Sequence, residues 1–107
     1  MAVVVRIRAQ ELLLSRKIRK LVWDAWNIEH IQRHGITPLD VEWVLSNPNP
    51  IPLFQKSRMG TIAVWGKDES ERYLLVILAR RERGAYYPVT ARLMTAREKR
   101  HYLQKGR

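Results

Sequence analysis

The side chains best placed to do chemistry crowd into one run, Pro-Val-Thr-Ala-Arg-Leu-Met-Thr-Ala-Arg-Glu-Lys-Arg-His-Tyr, residues 88 to 102. It reads as the end of a strand, a tight corner and a basic helix. Thr95 can cap the helix while Glu98, three residues on, reaches back to the cap's own N–H, a capping box. Arg92 then stands at the mouth of the strand beside a helix start, where free backbone N–H groups favour an anion. A phosphate group is the expected ligand of that corner, with Arg97 and Arg100 of the helix adding charge. The competing expectation for Arg92 is an ion pair with Glu98 or a contact with a backbone carbonyl. A hairpin turn at 81 to 84 sets Arg80 opposite Ala85, and period-two counting brings Arg72 and Tyr73 beside Arg92. The sheet then has two basic poles, Arg80, Arg81 and Arg83 at one end and Arg72, Arg92 and Arg97 at the other.

A second constellation is His30 and His34, four residues apart and so on one helical face. A zinc site needs a third ligand, which no motif supplies, so no metal is expected. Imidazole suits proton transfer, since as a residue type it titrates near neutral pH. A His just before a helix-ending Gly serves equally as a helix-end contact. Other machinery is missing from the sequence: no Cys, no Gly-rich phosphate loop, no Ser in a nucleophile elbow, and acidic residues scattered along helices and loops. What remains is Arg, Lys, His and Tyr. That set fits metal-free cleavage of RNA, in which cations stabilise the added negative charge of the transition state and a His, Tyr or Lys moves protons. Tyr73, Tyr86, Tyr87 and Tyr102 can stack on bases; at least two of them are better read as amphipathic edges of the core. No cofactor is expected.

Charge supports the same direction. The 107 residues carry 20 Lys plus Arg against 10 Asp plus Glu, a net of +10. Residues 1 to 20 hold six basic groups and one acidic, residues 21 to 79 five and seven, and residues 80 to 107 nine and two. Charge segregated in this way attracts polyanions, nucleic acid first. A solvated surface or an acidic protein partner would account for part of it. No run reaches the apolar length of a membrane span, and the N-terminal residues lack a signal-peptide pattern, so no membrane association is expected and the cytoplasm is the expected compartment.

The elements that must position these groups are written in caps and breakers. A short apolar strand near 20 to 23 precedes Asp24, an N-cap, and a helix that Gly35 ends. Thr37, Pro38 and Asp40 open a second helix, which stops before Asn47-Pro48-Asn49-Pro50. From Ile51 the period changes to two. Residues 53 to 57 and 61 to 66 form a hairpin across Arg58-Met59-Gly60, residues 72 to 80 a central strand and residues 85 to 92 its partner, before the last helix at 96 to 104. The expected fold is one α+β domain over 18–107, a small antiparallel sheet of three to four strands with two N-terminal helices and one C-terminal helix on one face. Residues 1–17 read as an extension or arm.

Several of these residues resemble a known family. Trp23-Asp24 before a helix ending His34-Gly35, a strand closing Gly66-Lys67, Val89-Thr90-Ala91-Arg92, and Thr95-Ala96-Arg97-Glu98 with Tyr102 are similar to the BrnT toxins of bacterial type II toxin–antitoxin systems, over residues 21 to 103. The resemblance implies a RelE-like ribonuclease fold, RNA cleavage, and neutralisation by an antitoxin that also binds DNA. It carries over His34, Lys67, Thr90 and Arg92, with Arg80 or Arg83 as a looser match. The family usually has Ser where Thr90 stands and an Arg near Tyr87 on the same strand. The expected activity is a metal-independent endoribonuclease in which Arg92 with Arg80 or Arg83 stabilises the phosphate and His34 or a Tyr handles protons. Lys67, Arg72, Arg97, Arg100, Tyr73 and Tyr102 would hold the RNA. The alternative is a non-catalytic RNA- or DNA-binding module on the same scaffold.

Overall fold

Among the described residues, each of the three helices starts on a side chain that closes its own first turn. In the computed structural model, which describes residues 3–6, 18–46, 52–56 and 58–105, helix α1 (Ala25–Gln32) is capped by Asp24, whose carboxylate accepts from the Asn27 N–H at 3.0 Å while Asn27 Oδ1 accepts from the Asp24 N–H at 2.8 Å. Helix α2 (Pro38–Ser46) begins with the same reciprocal pair between Thr37 and Asp40. Helix α3 (Ala96–Lys105) begins with the pair expected from sequence, Thr95 and Glu98. Gly35 ends α1 as expected: at φ 73° it lets its own N–H reach the Gln32 carbonyl and the Ile36 N–H reach that of Ile31.

The strands are β1 (Val3–Arg6), β2 (Lys20–Trp23), β3 (Leu53–Lys56), β4 (Thr61–Lys67), β5 (Tyr73–Glu82) and β6 (Ala85–Leu93), joined in one sheet in the order β1-β2-β6-β5-β4-β3. The α+β class and the two hairpins match the sequence expectation. Three features differ from it. First, the sheet holds more strands than expected. β1 brings part of the supposed arm into the sheet by pairing with β2; the rest of residues 1–17 lies outside the described residues. Second, the sheet is mixed, because β2 runs parallel to β6 at Lys20↔Ala85 and Leu21↔Tyr86. The Gly84 carbonyl holds that junction by accepting from the N–H groups of both Arg19 and Lys20. The helices α1 and α2 therefore lie between strands of the sheet rather than ahead of it.

Third, the helices are split between the two faces. Leu74, Val76 and Leu78 of β5 share a core with Val64, Ala91, Tyr86, Ile31, Ile36, Val41, Val44 and Leu45, all buried. The apolar residues of α1 and α2 pack on that face, while His30, on another side of α1, reaches Thr90 of β6. By register, Trp65, Leu75 and Arg92 lie side by side on the other face, and α3 covers it: Tyr102 meets the Tyr73 ring at 6.0 Å and Glu98 pairs with Arg92. A Thr-capped helix two residues after the strand has no choice but to fold back, and the sequence does not say over which face.

Helix α2 packs closely on the sheet at Gly66, where an added Cβ would fall 2.8 Å from Val44 Cγ1. Replacing Gly66 by Ala should therefore cost about 1–3 kcal/mol through overpacking, read as a lower urea midpoint at unchanged slope. An unchanged midpoint would mean that α2 yields without cost.

Candidate functional site

Strand β6 carries the site, and a bulge decides which way its side chains point. Ile77 pairs with Thr90, but Leu78 pairs with Pro88, so one residue of β6, Val89, is extra. Under unbroken alternation Thr90 and Arg92 would share the core face with Pro88 and Tyr86. The inserted residue sends them instead to the face that α3 covers, together with Tyr87. Pro88 has no N–H to give to a ladder, which suits it to an irregular point. Its carbonyl accepts from Asn27 Nδ2 at 3.1 Å.

That contact lays the first turns of α1 along β6. Three residues after Asn27, His30 brings Nε2 to 3.1 Å from Thr90 Oγ1. Two residues after Thr90, Arg92 follows on the same face, roughly 6.6 Å further along the strand. His30 is gripped by neighbouring rings as well. Trp26 lies parallel to it, with centroids 5.0 Å apart and planes 5° apart, and His34 meets it edge-on at 5.7 Å. The sequence marked both histidines but favoured His34; the structure puts His30 against the strand and His34 one turn beyond it. The spacing of Trp26, His30 and His34 was visible in the sequence, whereas which of them meets β6 depends on where the bulge and the Asn27 contact fall.

Arg92 takes the second of its two expected roles. Nη1 and Nη2 donate to the two oxygens of Glu98 at 2.7 and 2.9 Å, and Nη1 also donates to the Leu93 carbonyl. Hydrogen bonding to Glu98 raises the Arg92 pKa, against a smaller opposing effect of burial. The Arg92 side chain remains 37% exposed. Beside it, Arg97, Glu98, Arg100 and His101 line a shallow depression with Trp65 and Gln104.

The remaining expected residues separate. Arg72 does not join Arg92: it lies on the face of Leu74, donating to Asp68 at 2.7 Å, Asp40 at 3.2 Å and the Gly35 carbonyl at 3.0 Å. It ties the α1–α2 turn to the sheet, a structural duty that the period-two count missed. Tyr73 has ammonium groups on its ring, Lys99 at 4.5 Å and Lys67 at 5.5 Å, and Lys67 also reaches Glu71 at 3.4 Å. Tyr102 is buried. Neither ring is presented as an open stacking surface. Arg80 pairs with Tyr86, not Ala85, because the turn narrows to Arg83-Gly84, so that Glu82 pairs with Ala85 and Arg81 is extra on β5. Arg80 and Arg83 are exposed at the far end of the hairpin from Arg92.

Arg81 was not singled out alone, yet its guanidinium lies 4.3 Å above the Tyr87 ring. The Tyr87 hydroxyl donates to both oxygens of Asp24, at 2.8 and 3.0 Å. The Asn27 N–H, chiefly, holds the Asp24 carboxyl below its usual range, with Tyr87 adding to the effect and burial opposing it. Burial, chiefly, and Asp24 push the Tyr87 hydroxyl up. Among the described residues there is no cluster of three His, Cys, Asp or Glu able to hold a metal ion.

Hydrogen bonds from Arg92, chiefly, lower the Glu98 pKa from 4.5 to about 2, although burial alone would raise it. A carboxyl lowered by folding contributes stability that is full above its unfolded pKa, near 4.5, and lost as pH falls through about 2. Gln also serves at the third position of a capping box, so Glu98→Gln removes the charge and leaves the cap. Wild type should melt above Glu98→Gln at neutral pH, with the gap closing as Glu98 protonates towards pH 2. A gap that does not change with pH would mean that the pair contributes nothing by its charge. Among known proteins, no family model matches the chain and no curated protein matches it, so the chemistry of the site rests on its geometry.

Proposed function

We propose that the chain is a metal-independent endoribonuclease of the kind carried by type II toxin–antitoxin systems, working where His30 meets Thr90, two residues before Arg92 on the same strand face. The observation that carries this reading is the His30 Nε2 to Thr90 Oγ1 contact of 3.1 Å on the strand face that also bears Arg92. A proton carrier and a fixed guanidinium are the two groups that transesterification of RNA needs. His30 takes the proton of a ribose 2′-hydroxyl, whose oxygen attacks the adjacent phosphorus. Arg92 balances the charge of the phosphorane. The bond to the 5′-oxygen breaks, that oxygen takes a proton from water, and a 2′,3′-cyclic phosphate remains. Thr90 holds the imidazole at the angle this requires and offers its hydroxyl to a phosphate oxygen.

Arg97 and Arg100 extend the positive surface beside Arg92, and Lys67, Lys99, Arg80 and Arg83 add to the field that draws RNA in. The net charge of +10 also suits a neutralising acidic partner, an antitoxin protein. One observation favours a second reading, a nucleic-acid-binding module that does not cut: both terminal nitrogens of Arg92 are taken by Glu98. For catalysis a phosphate must replace that carboxylate or meet the exposed side of the guanidinium.

Purified protein in EDTA decides between them. The proposal expects RNA scission unaffected by chelator, with cyclic phosphate and 5′-hydroxyl ends. His30→Ala should lower the rate about 100- to 10,000-fold, the usual range for a general acid–base group. Arg92→Ala should be similarly slow, and His34→Ala within about tenfold of wild type. Salt-sensitive binding without scission, or scission that persists equally in His30→Ala, would leave the binding module as the better account.

A further inference from the structure

Of the four Trp residues, Trp23 is buried, Trp65 donates its indole N–H to Gln55 and Trp43 is 40% exposed, whereas Trp26 is the most exposed at 59%. An exposed indole costs free energy unless something covers it, and Trp26 is not an isolated surface ring. One side of it is stacked on His30 with planes only 5° apart, and His30 is bonded to the strand that bears Arg92. The stack therefore starts at the phosphate corner and ends in an open aromatic face.

We infer that Trp26 is a base-stacking platform, which takes an unpaired nucleobase, a purine by preference, from the strand whose phosphate meets Thr90 and Arg92. The inference deepens the nucleic-acid reading and rests on it. A purine offers the larger π surface, and a flat ring laid on Trp26 would extend the parallel His30–Trp26 stack by one member. Stacking of this kind tolerates any base and needs no edge contacts. The charge of the corner that Arg92 shares with α3 chooses the class of ligand: Arg92, Arg97 and Arg100 favour a polyanion over an apolar protein surface. A duplex could not use the platform, because its bases are already stacked. Seating a base on Trp26 would also press the indole against His30 and fix the imidazole plane while Thr90 fixes its nitrogen.

The test is binding of a 2′-O-methyl strand, which cannot be cut by attack of its own hydroxyl, followed by fluorescence anisotropy at fixed salt. Two strands are compared, one with a single purine among abasic sites and one wholly abasic. Wild type should prefer the purine strand. Trp26→Ala should lose about 5- to 150-fold on the purine strand, the span of base–aromatic stacking, and nothing on the abasic strand. Trp26→Phe should keep most of the preference. Equal binding of both strands by wild type, or an equal loss on both in Trp26→Ala, overturns the inference. Failure here with cleavage intact removes only the platform, and a preserved purine preference in a protein that never cuts removes only the ribonuclease.

Discussion

The arrangement of the site depends on one buried amide. Asn27 is fully buried and every polar group of its side chain is used: Oδ1 closes the α1 cap on Asp24, and Nδ2 donates both to the Val22 carbonyl at the end of β2 and to the Pro88 carbonyl in β6. β2 and β6 pair only as far as Leu21↔Tyr86. Beyond that, the amide takes over the bonds that a longer strand would have made. Such bonds are costly to leave unmade, since a buried carbonyl without a donor costs on the order of 1–3 kcal/mol. The result is a fixed axial register between a helix and a strand, and from it the meeting of His30 with Thr90 follows.

Two further devices build on that register. The bulge at Val89 turns Thr90 and Arg92 away from the core, so that a guanidinium and a hydroxyl leave a strand otherwise lined by Tyr86 and Ala91. Glu98 then closes the corner from the other side. One carboxylate caps α3 and grips Arg92 in two places, so the helix start and the guanidinium cannot move independently. The same grip sets the electrostatics of the corner. Its positive charge is held in reserve behind a carboxylate, whereas Arg97 and Arg100 on the exposed turns of α3 stand outside that pair. Arg72 shows the opposite use of charge: with Asp68 fully buried against it, the pair staples loops together and has no role at the corner.

The sequence disclosed what is encoded locally. Asp24, Thr37 and Thr95 announce their helices because a capping side chain must lie within three residues of the N–H it satisfies. Gly35 and Gly84 mark reversals because they adopt a positive φ. Long-range pairings left no such mark. The parallel contact of β2 with β6 joins residues more than sixty positions apart, and the residues on either side of it look like any apolar strand. The bulge at Val89 shifts the period of β6 by one, and that is enough to carry Thr90 and Arg92 to the opposite face from Tyr86. Period-two counting is reliable only until the first inserted residue.

The central claim is that His30, held by Thr90, works as a unit with the phosphate corner, and a double-mutant cycle reads it directly. Cleavage rates of wild type, His30→Ala, Thr90→Val and the double variant in EDTA should be strongly non-additive, with Thr90→Val slowing the His30→Ala protein far less than it slows wild type. Additive losses, with Thr90→Val slowing the His30→Ala protein as much as it slows wild type, would show that the two side chains act separately and would contradict the account.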